Sequence, residues 1–187
     1  MTNRIEIPLS KKKINLLLVG TLIFIIGGIW ITSNPENAGY YFNPLLRGFI
    51  YLTPEAIRLI GIIGILFFSA TGIYGIIKLF DKKVGLTIDS DGIIDNSNAS
   101  SIGLIEWRDI SETRTKQIAS TKFLLIDVVE PEKYIGKAKN RMQAKLMKVN
   151  MNIYQTPLSI TSNTLKYKFV ELEKLILTEF ERNKNAR

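Results

Sequence analysis

The chain has 187 residues with 25 Lys and Arg against 17 Asp and Glu, a formal charge of +8, and neither cysteine nor histidine. Those two absences exclude disulfides, thiolate nucleophiles, imidazole bases and the usual zinc ligand sets, leaving carboxylates, lysines, tyrosines and hydroxyls for any chemistry. Long uncharged runs stand before Asp81, whereas residues 82–187 carry 18 Lys and Arg against 13 Asp and Glu. A surplus of that size suits anionic partners and plain solubility alike.

The first uncharged stretch lies between Lys13 and Glu36, with its apolar heart at 14–31. About 20 residues at roughly 1.5 Å each cover a hydrocarbon core of roughly 30 Å, so a membrane span is predicted at about 14–32. A cleaved secretory signal is the competing reading, since Arg4, Lys11, Lys12 and Lys13 precede the stretch. The stretch is longer than a typical signal core, and Thr32-Ser33-Asn34-Pro35 is a poor cleavage site. A second run between Arg58 and Lys78 predicts a span at about 57–80. Lys and Arg crowd before the first span and after the second (Lys78, Lys82, Lys83), while the loop between offers Arg47 and, at its edge, Arg58. Basic flanks stay inside, so both termini are expected in the cytoplasm of a multi-pass protein of the inner (cytoplasmic) membrane. Gly61, Gly64, Gly72 and Gly75 return to one side of the second helix. That face is expected to pack on the first helix or on a second copy of the chain, forming a homo-oligomer.

The connecting loop has Pro35, Pro44 and Pro54 and the aromatics Tyr40, Tyr41, Phe42, Phe49 and Tyr51. A short interfacial helix is expected from Asn43-Pro44, with Leu45, Leu46, Phe49, Ile50 and Leu52 as its apolar side.

After Phe80 the pattern changes to short alternating runs, with Asp81-Lys82-Lys83 as the junction, so the chain divides into a membrane hairpin at 1–83 and a cytoplasmic domain at 84–187. Runs 84–88 and 93–96 flank Asp89-Ser90-Asp91-Gly92, the composition of a tight hairpin turn. A calcium loop would need a terminal glutamate and another glycine spacing. Further strands are read at 102–107, 112–118, 122–129 and 158–161, implying an antiparallel sheet or barrel in an α+β fold, with Trp107 filling its core. After Pro131 one amphipathic helix is predicted over 132–154. Ile135, Ala138, Met142, Leu146, Val149 and Ile153 make its apolar stripe, while Lys133, Lys137, Arg141 and Lys148 stand opposite, with Lys145 at the border. Between Lys133 and Val170 there are eight basic residues and no Asp or Glu. Lys133, Lys137, Arg141, Lys145 and Lys148 are therefore the candidate contacts to an anionic surface. A last helix is predicted at about 163–183, started near Thr161-Ser162-Asn163, with Leu165, Phe169, Leu172, Ile176 and Phe180 inward.

The stretches GLTID at 85–89, DGIIDNS at 91–97 and IGLIEWRDI at 102–110, followed by a strand pair and a C-terminal helix, resemble bacterial pleckstrin-homology-like (PH-like) domains. With IPLSKKK at 7–13, YIGKAKN at 134–140 and TPLSITSNTL at 156–165, the whole plan resembles a family of uncharacterised bacterial inner-membrane proteins with two transmembrane helices before such a domain. The resemblance implies a fold, a strongly bent antiparallel sheet or barrel closed by the last helix, and no particular activity. The long basic helix departs from that plan as an insertion.

No phosphate-cradling glycine loop, nucleophile elbow or spaced carboxylate pair is present, so no enzymatic activity and no cofactor are expected. The expected function is that of a membrane-anchored protein whose cytoplasmic domain binds a protein partner or peptide. The alternative is docking of the basic helix on anionic membrane lipids. Nucleic acid is not expected as a partner, because no set of aromatics is interleaved with the basic residues to stack bases.

Overall fold

The computed structural model describes residues 4–38, 40–43 and 48–185, which fall into two compact units: Lys11–Asp81, and residues 4–10 together with 82–185.

Two helices dominate the first unit, α1 (Lys11–Ser33) and α2 (Pro54–Phe80). Their 23 and 27 residues span about 35 and 40 Å at roughly 1.5 Å each, so both are long and apolar enough to cross a membrane. α2 starts as its sequence dictates, with Thr53 Oγ1 accepting from Ala56 N (3.4 Å) and Pro54 in its first turn. It ends where Asp81 takes up the Lys78 ammonium at 3.1 Å. The hydroxyls of Thr21 and Thr32 donate back to Leu18 O and Gly28 O, so neither is left unsatisfied on the apolar helix. Three of the four glycines on the expected face lie against α1. A Cβ on Gly61 would sit 3.1 Å from Gly28 O, one on Gly75 would sit 2.8 Å from Leu18 Cδ2, and one on Gly72 would sit 3.4 Å from Thr21 Oγ1. Gly64 meets nothing within 4 Å. The small residues thus let the two backbones approach within the hairpin, and Phe24 stacks on Phe68 with ring centroids 4.4 Å apart. Outward faces stay exposed and apolar, as at Leu16, Ile23, Ile63 and Leu66.

Between the helices the structure departs from the expected interfacial helix. Asn43 ends β2 (Tyr40–Asn43), and residues 48–51, expected to be helical, form β3 (Gly48–Tyr51), which pairs antiparallel with β2 in the register Tyr40↔Tyr51. Pro44, Leu45 and Leu46 lie outside the described residues. Tyr40, Tyr41, Phe42, Phe49, Ile50 and Tyr51 are of the aromatic and β-branched types that favour strand over helix, and that preference wins.

The second unit is α+β. Its first strand, β1 (Ile5–Ile7), precedes α1 and pairs antiparallel with β4 (Leu86–Ile88), beyond α2, in the register Ile5↔Ile88 and Ile7↔Leu86. Residues 4–10 therefore belong with the domain rather than with the hairpin. The same segment continues past the sheet: Pro8 O accepts from Lys166 N, Leu9 bridges Leu165, and Ser10 N donates to Thr164 O (2.7 Å). β5 (Gly92–Asp95) and β6 (Gly103–Glu106) complete a sheet ordered β1-β4-β5-β6. The Asp89–Gly92 turn is closed by the Asp89 carboxylate, which accepts from Asp91 N and Gly92 N. Gly92 is obligatory there, since a Cβ would come within 2.0 Å of Ile105 O. A second sheet, β7-β8-β9, is built from β7 (Ile110–Ile118), β8 (Thr121–Val128) and β9 (Leu158–Ile160). Neither sheet closes into a barrel.

Both sheets and the last helix, α5 (Phe169–Lys184), share one core: Ile7, Leu86, Ile88, Ile93 and Ile105 from the first sheet, Leu124 and Ile126 from the second, and Leu172, Ile176 and Phe180 from α5. Trp107 is 3% exposed within it, and its indole N–H donates to Asp89 O at 2.8 Å. α5 begins six residues later than expected. Leu165 reaches the core from extended chain that pairs with Leu9, so Thr161, Ser162 and Asn163 do not cap the helix. Because Ile7 is 2% exposed, Ile7→Ala should lower the stability of this unit by about 2–4 kcal/mol. Denaturant titration followed by Trp107 fluorescence in a Trp30→Phe background would measure it.

Candidate functional site

The expected basic helix is two helices. α3 (Pro131–Gly136) starts with Pro131 in its first turn and buries Tyr134 and Ile135. After residues 137–140, α4 (Arg141–Tyr154) restarts with Asn140 Oδ1 accepting from Gln143 N at 2.8 Å. The break shifts the helical phase, and this decides which residues face out.

Tyr134 anchors α3. Its hydroxyl donates to Asp109 Oδ2 (2.7 Å) and accepts from Glu106 N (3.2 Å). Lys133 Nζ lies 2.5 Å from the same Asp109 oxygen and 3.4 Å from Glu106 Oε1. Lys137 Nζ lies 3.8 Å from Glu106 and 4.7 Å from the centre of the Tyr134 ring. Arg108 completes the cluster at 2.5 Å from Glu106. Burial pushes the Tyr134 hydroxyl far above its usual range, and Asp109 beside it adds to the shift. For Asp109, burial acts to raise the pKa, but the hydrogen bonds from Lys133 and Tyr134 outweigh it and leave the carboxyl below its ordinary value. Glu106 is likewise lowered, by Arg108 and Lys133 against a desolvation that opposes them. Both carboxylates are engaged by cations, and those partners favour their ionised forms. A groove of about 480 Å³ beside them is lined by Ser90, Leu104, Trp107, Arg108 and Asn183, among others.

α4 is fixed from below by polar side chains. Gln143 is buried; its Nε2 donates to Ser101 O at 2.5 Å and its Oε1 accepts from Lys139 N at 2.7 Å. Asn150 Nδ2 donates to Pro157 O at 3.3 Å, and Met147, fully buried between them, joins the core. With Gln143, Met147 and Asn150 turned inward, the expected stripe divides: Ala138 packs against the core and Leu146 is half-buried, while three of its residues are turned out. Met142 is 70% exposed, Val149 43% and Ile153 56%, while Ile135 on α3 keeps its place in the core. At about 100° per residue the three exposed apolar residues fall within about 40° of one another. Lys145, Arg141 and Lys148 follow on one flank, roughly 60° to 120° round.

The five expected contact residues therefore separate into two groups. Lys133 and Lys137 lie against Asp109 and Glu106. Arg141, Lys145 and Lys148 are exposed along α4 and, among the described residues, make no ion pair within 4 Å. Sequence reasoning missed Asp109, Tyr134 and Glu106 as a cluster, since nothing in their spacing brings them together. The helix break was signalled by Asn140-x-x-Gln143, the spacing of a capping box. Comparison with protein-family models, curated proteins and solved structures found no match.

Gln143→Ala would strand Ser101 O and Lys139 N and should cost about 1–3 kcal/mol, read as a fall in unfolding midpoint. Asp109 also sets a pH dependence. Its folded pKa is lowered, so its stabilisation is fully present above the ordinary carboxylate range and is lost as pH falls through the lowered value, below about 4. Unfolding midpoints measured down a pH series should fall more steeply for the wild type than for Asp109→Asn.

Proposed function

We propose that the chain is a two-span protein of the inner membrane with both termini in the cytoplasm, and that its PH-like domain is a non-enzymatic docking module whose docking surface is the outward face of α4. The observation that carries this reading is the exposure of Met142, Val149 and Ile153 on a helix flanked by Arg141, Lys145 and Lys148. Monomeric soluble surfaces seldom line up large apolar residues beside unpaired cations without a binding role. The pairing of β1 with β4 supports a common side for the chain before α1 and after α2, and the basic flanks support the cytoplasm as that side. Four strands in one sheet, three in the next and a C-terminal helix support the PH-like likeness. The engagement of Glu106 and Asp109 by cations supports a role without catalysis.

A second reading, capture of an extended segment of a protein partner, is favoured by β7, a nine-residue edge strand that, among the described residues, pairs with β8 alone. Single cysteines in this cysteine-free chain distinguish the two. In native membranes, Met142→Cys, Val149→Cys and Ile153→Cys should react with a thiol reagent several-fold more slowly than the exposed Asn163→Cys. Equal rates at all four, with protection along β7 at Glu112→Cys and Lys116→Cys, would favour the peptide reading instead.

A further inference from the structure

We infer that what covers the outward face of α4 is the anionic phospholipid surface of the same membrane; the inference rests on the reading of that face as a docking surface. Charge complementarity points to an anionic occupant. Arg141, Lys145 and Lys148 stand exposed on α4, Lys139 stands exposed just before it, and no Asp or Glu occurs between Lys133 and Val170 to offset them. A second copy of the chain would bring the same cations face to face and be repelled.

The mixture on this face suits a membrane interface better than a protein groove. A helix lying in the headgroup region needs a narrow apolar strip at the depth of the acyl boundary and long cationic side chains beside it that reach back to the phosphates. Met142, Val149 and Ile153 supply the strip, and Arg141, Lys145 and Lys148 supply the cations along one flank. α4 is also held to the domain by its opposite side, through Gln143, Met147 and Asn150.

Covalent connection makes weak contacts sufficient. The domain joins the helices through short connections, at Ser10 to Lys11 before α1 and at Asp81 to Lys82 after α2. Docking is then an intramolecular step at high effective concentration. Each cation near an anionic surface favours the docked state about fivefold, so three together favour it on the order of a hundredfold.

The test uses the full chain carrying an environment-sensitive fluorophore on Val149→Cys. It is reconstituted into vesicles of phosphatidylcholine alone and of phosphatidylcholine with an equal part of phosphatidylglycerol. The expected result is a blue-shifted, quencher-protected probe only with phosphatidylglycerol, reversed by high salt and by combining Arg141→Gln, Lys145→Gln and Lys148→Gln. The unfolding midpoint of that triple variant should match its parent, which excludes misfolding. Equal immersion in both vesicles without salt dependence would overturn the anionic assignment. A probe exposed in both vesicles yet protected in native membranes would overturn the lipid and leave α4 as a face that docks on protein. Exposure in vesicles and native membranes alike would overturn the docking reading as well.

Discussion

Three residues before the first helix, Ile5–Ile7, pair with three residues beyond the second, Leu86–Ile88, and the rest of the architecture follows from that ladder. It makes the long apolar hairpin an insertion between two neighbouring strands of one sheet. The domain's first sheet lacks its edge without residues 4–7, and its core lacks Ile7. The segment that continues from β1, through Pro8 to Ser10, also pins the extended chain around Leu165 before α5 begins. Two separated parts of the sequence are thus joined by the same short segment, residues 5–10, and the domain is tethered to the hairpin through two chain crossings.

Charge is handled in two ways within about fifteen residues. On α3 the cations are absorbed: Lys133 and Lys137 close on Glu106 and Asp109, and the buried Tyr134 hydroxyl ties the same carboxylate to the helix. On α4 they are left in solvent beside exposed apolar side chains. The break at 137–140 separates these regimes, because the new phase lets Gln143 and Asn150 satisfy buried carbonyls and sends Met142, Val149 and Ile153 outward. Gln143 and Asn150 share the inward side of α4 with the buried Met147, while three apolar residues join the cations in solvent.

Much of this was legible in the sequence. Uncharged runs as long as those in α1 and α2 are legible as helices long and apolar enough to cross a membrane, and the observed helices contain the predicted ranges. Six domain strands fell where alternation placed them, because turn chemistry such as Asp89–Gly92 fixes register locally. β1 escaped notice because three residues hold barely one period of alternation, and its partner lies some eighty residues away. The α4 face was misread because Ile135, Ala138 and Met142 keep helical spacing across a gap that is not helical. Leu165 was assigned to the right core and the wrong element for the same reason, since spacing alone does not distinguish the last turn of extended chain from the first turn of a helix.

The β1–β4 ladder also orders the birth of the protein. Ile5–Ile7 leaves the ribosome before either long helix exists, yet its partner strand emerges only after both have been made. In the two-span arrangement proposed above, a chain whose second helix failed to return across the bilayer would leave β1 and β4 on opposite sides, with Leu86 and Ile88 uncovered. In that arrangement, completion of the domain reads out correct insertion, and a misinserted chain would present quality-control proteases with an open sheet edge rather than a finished domain.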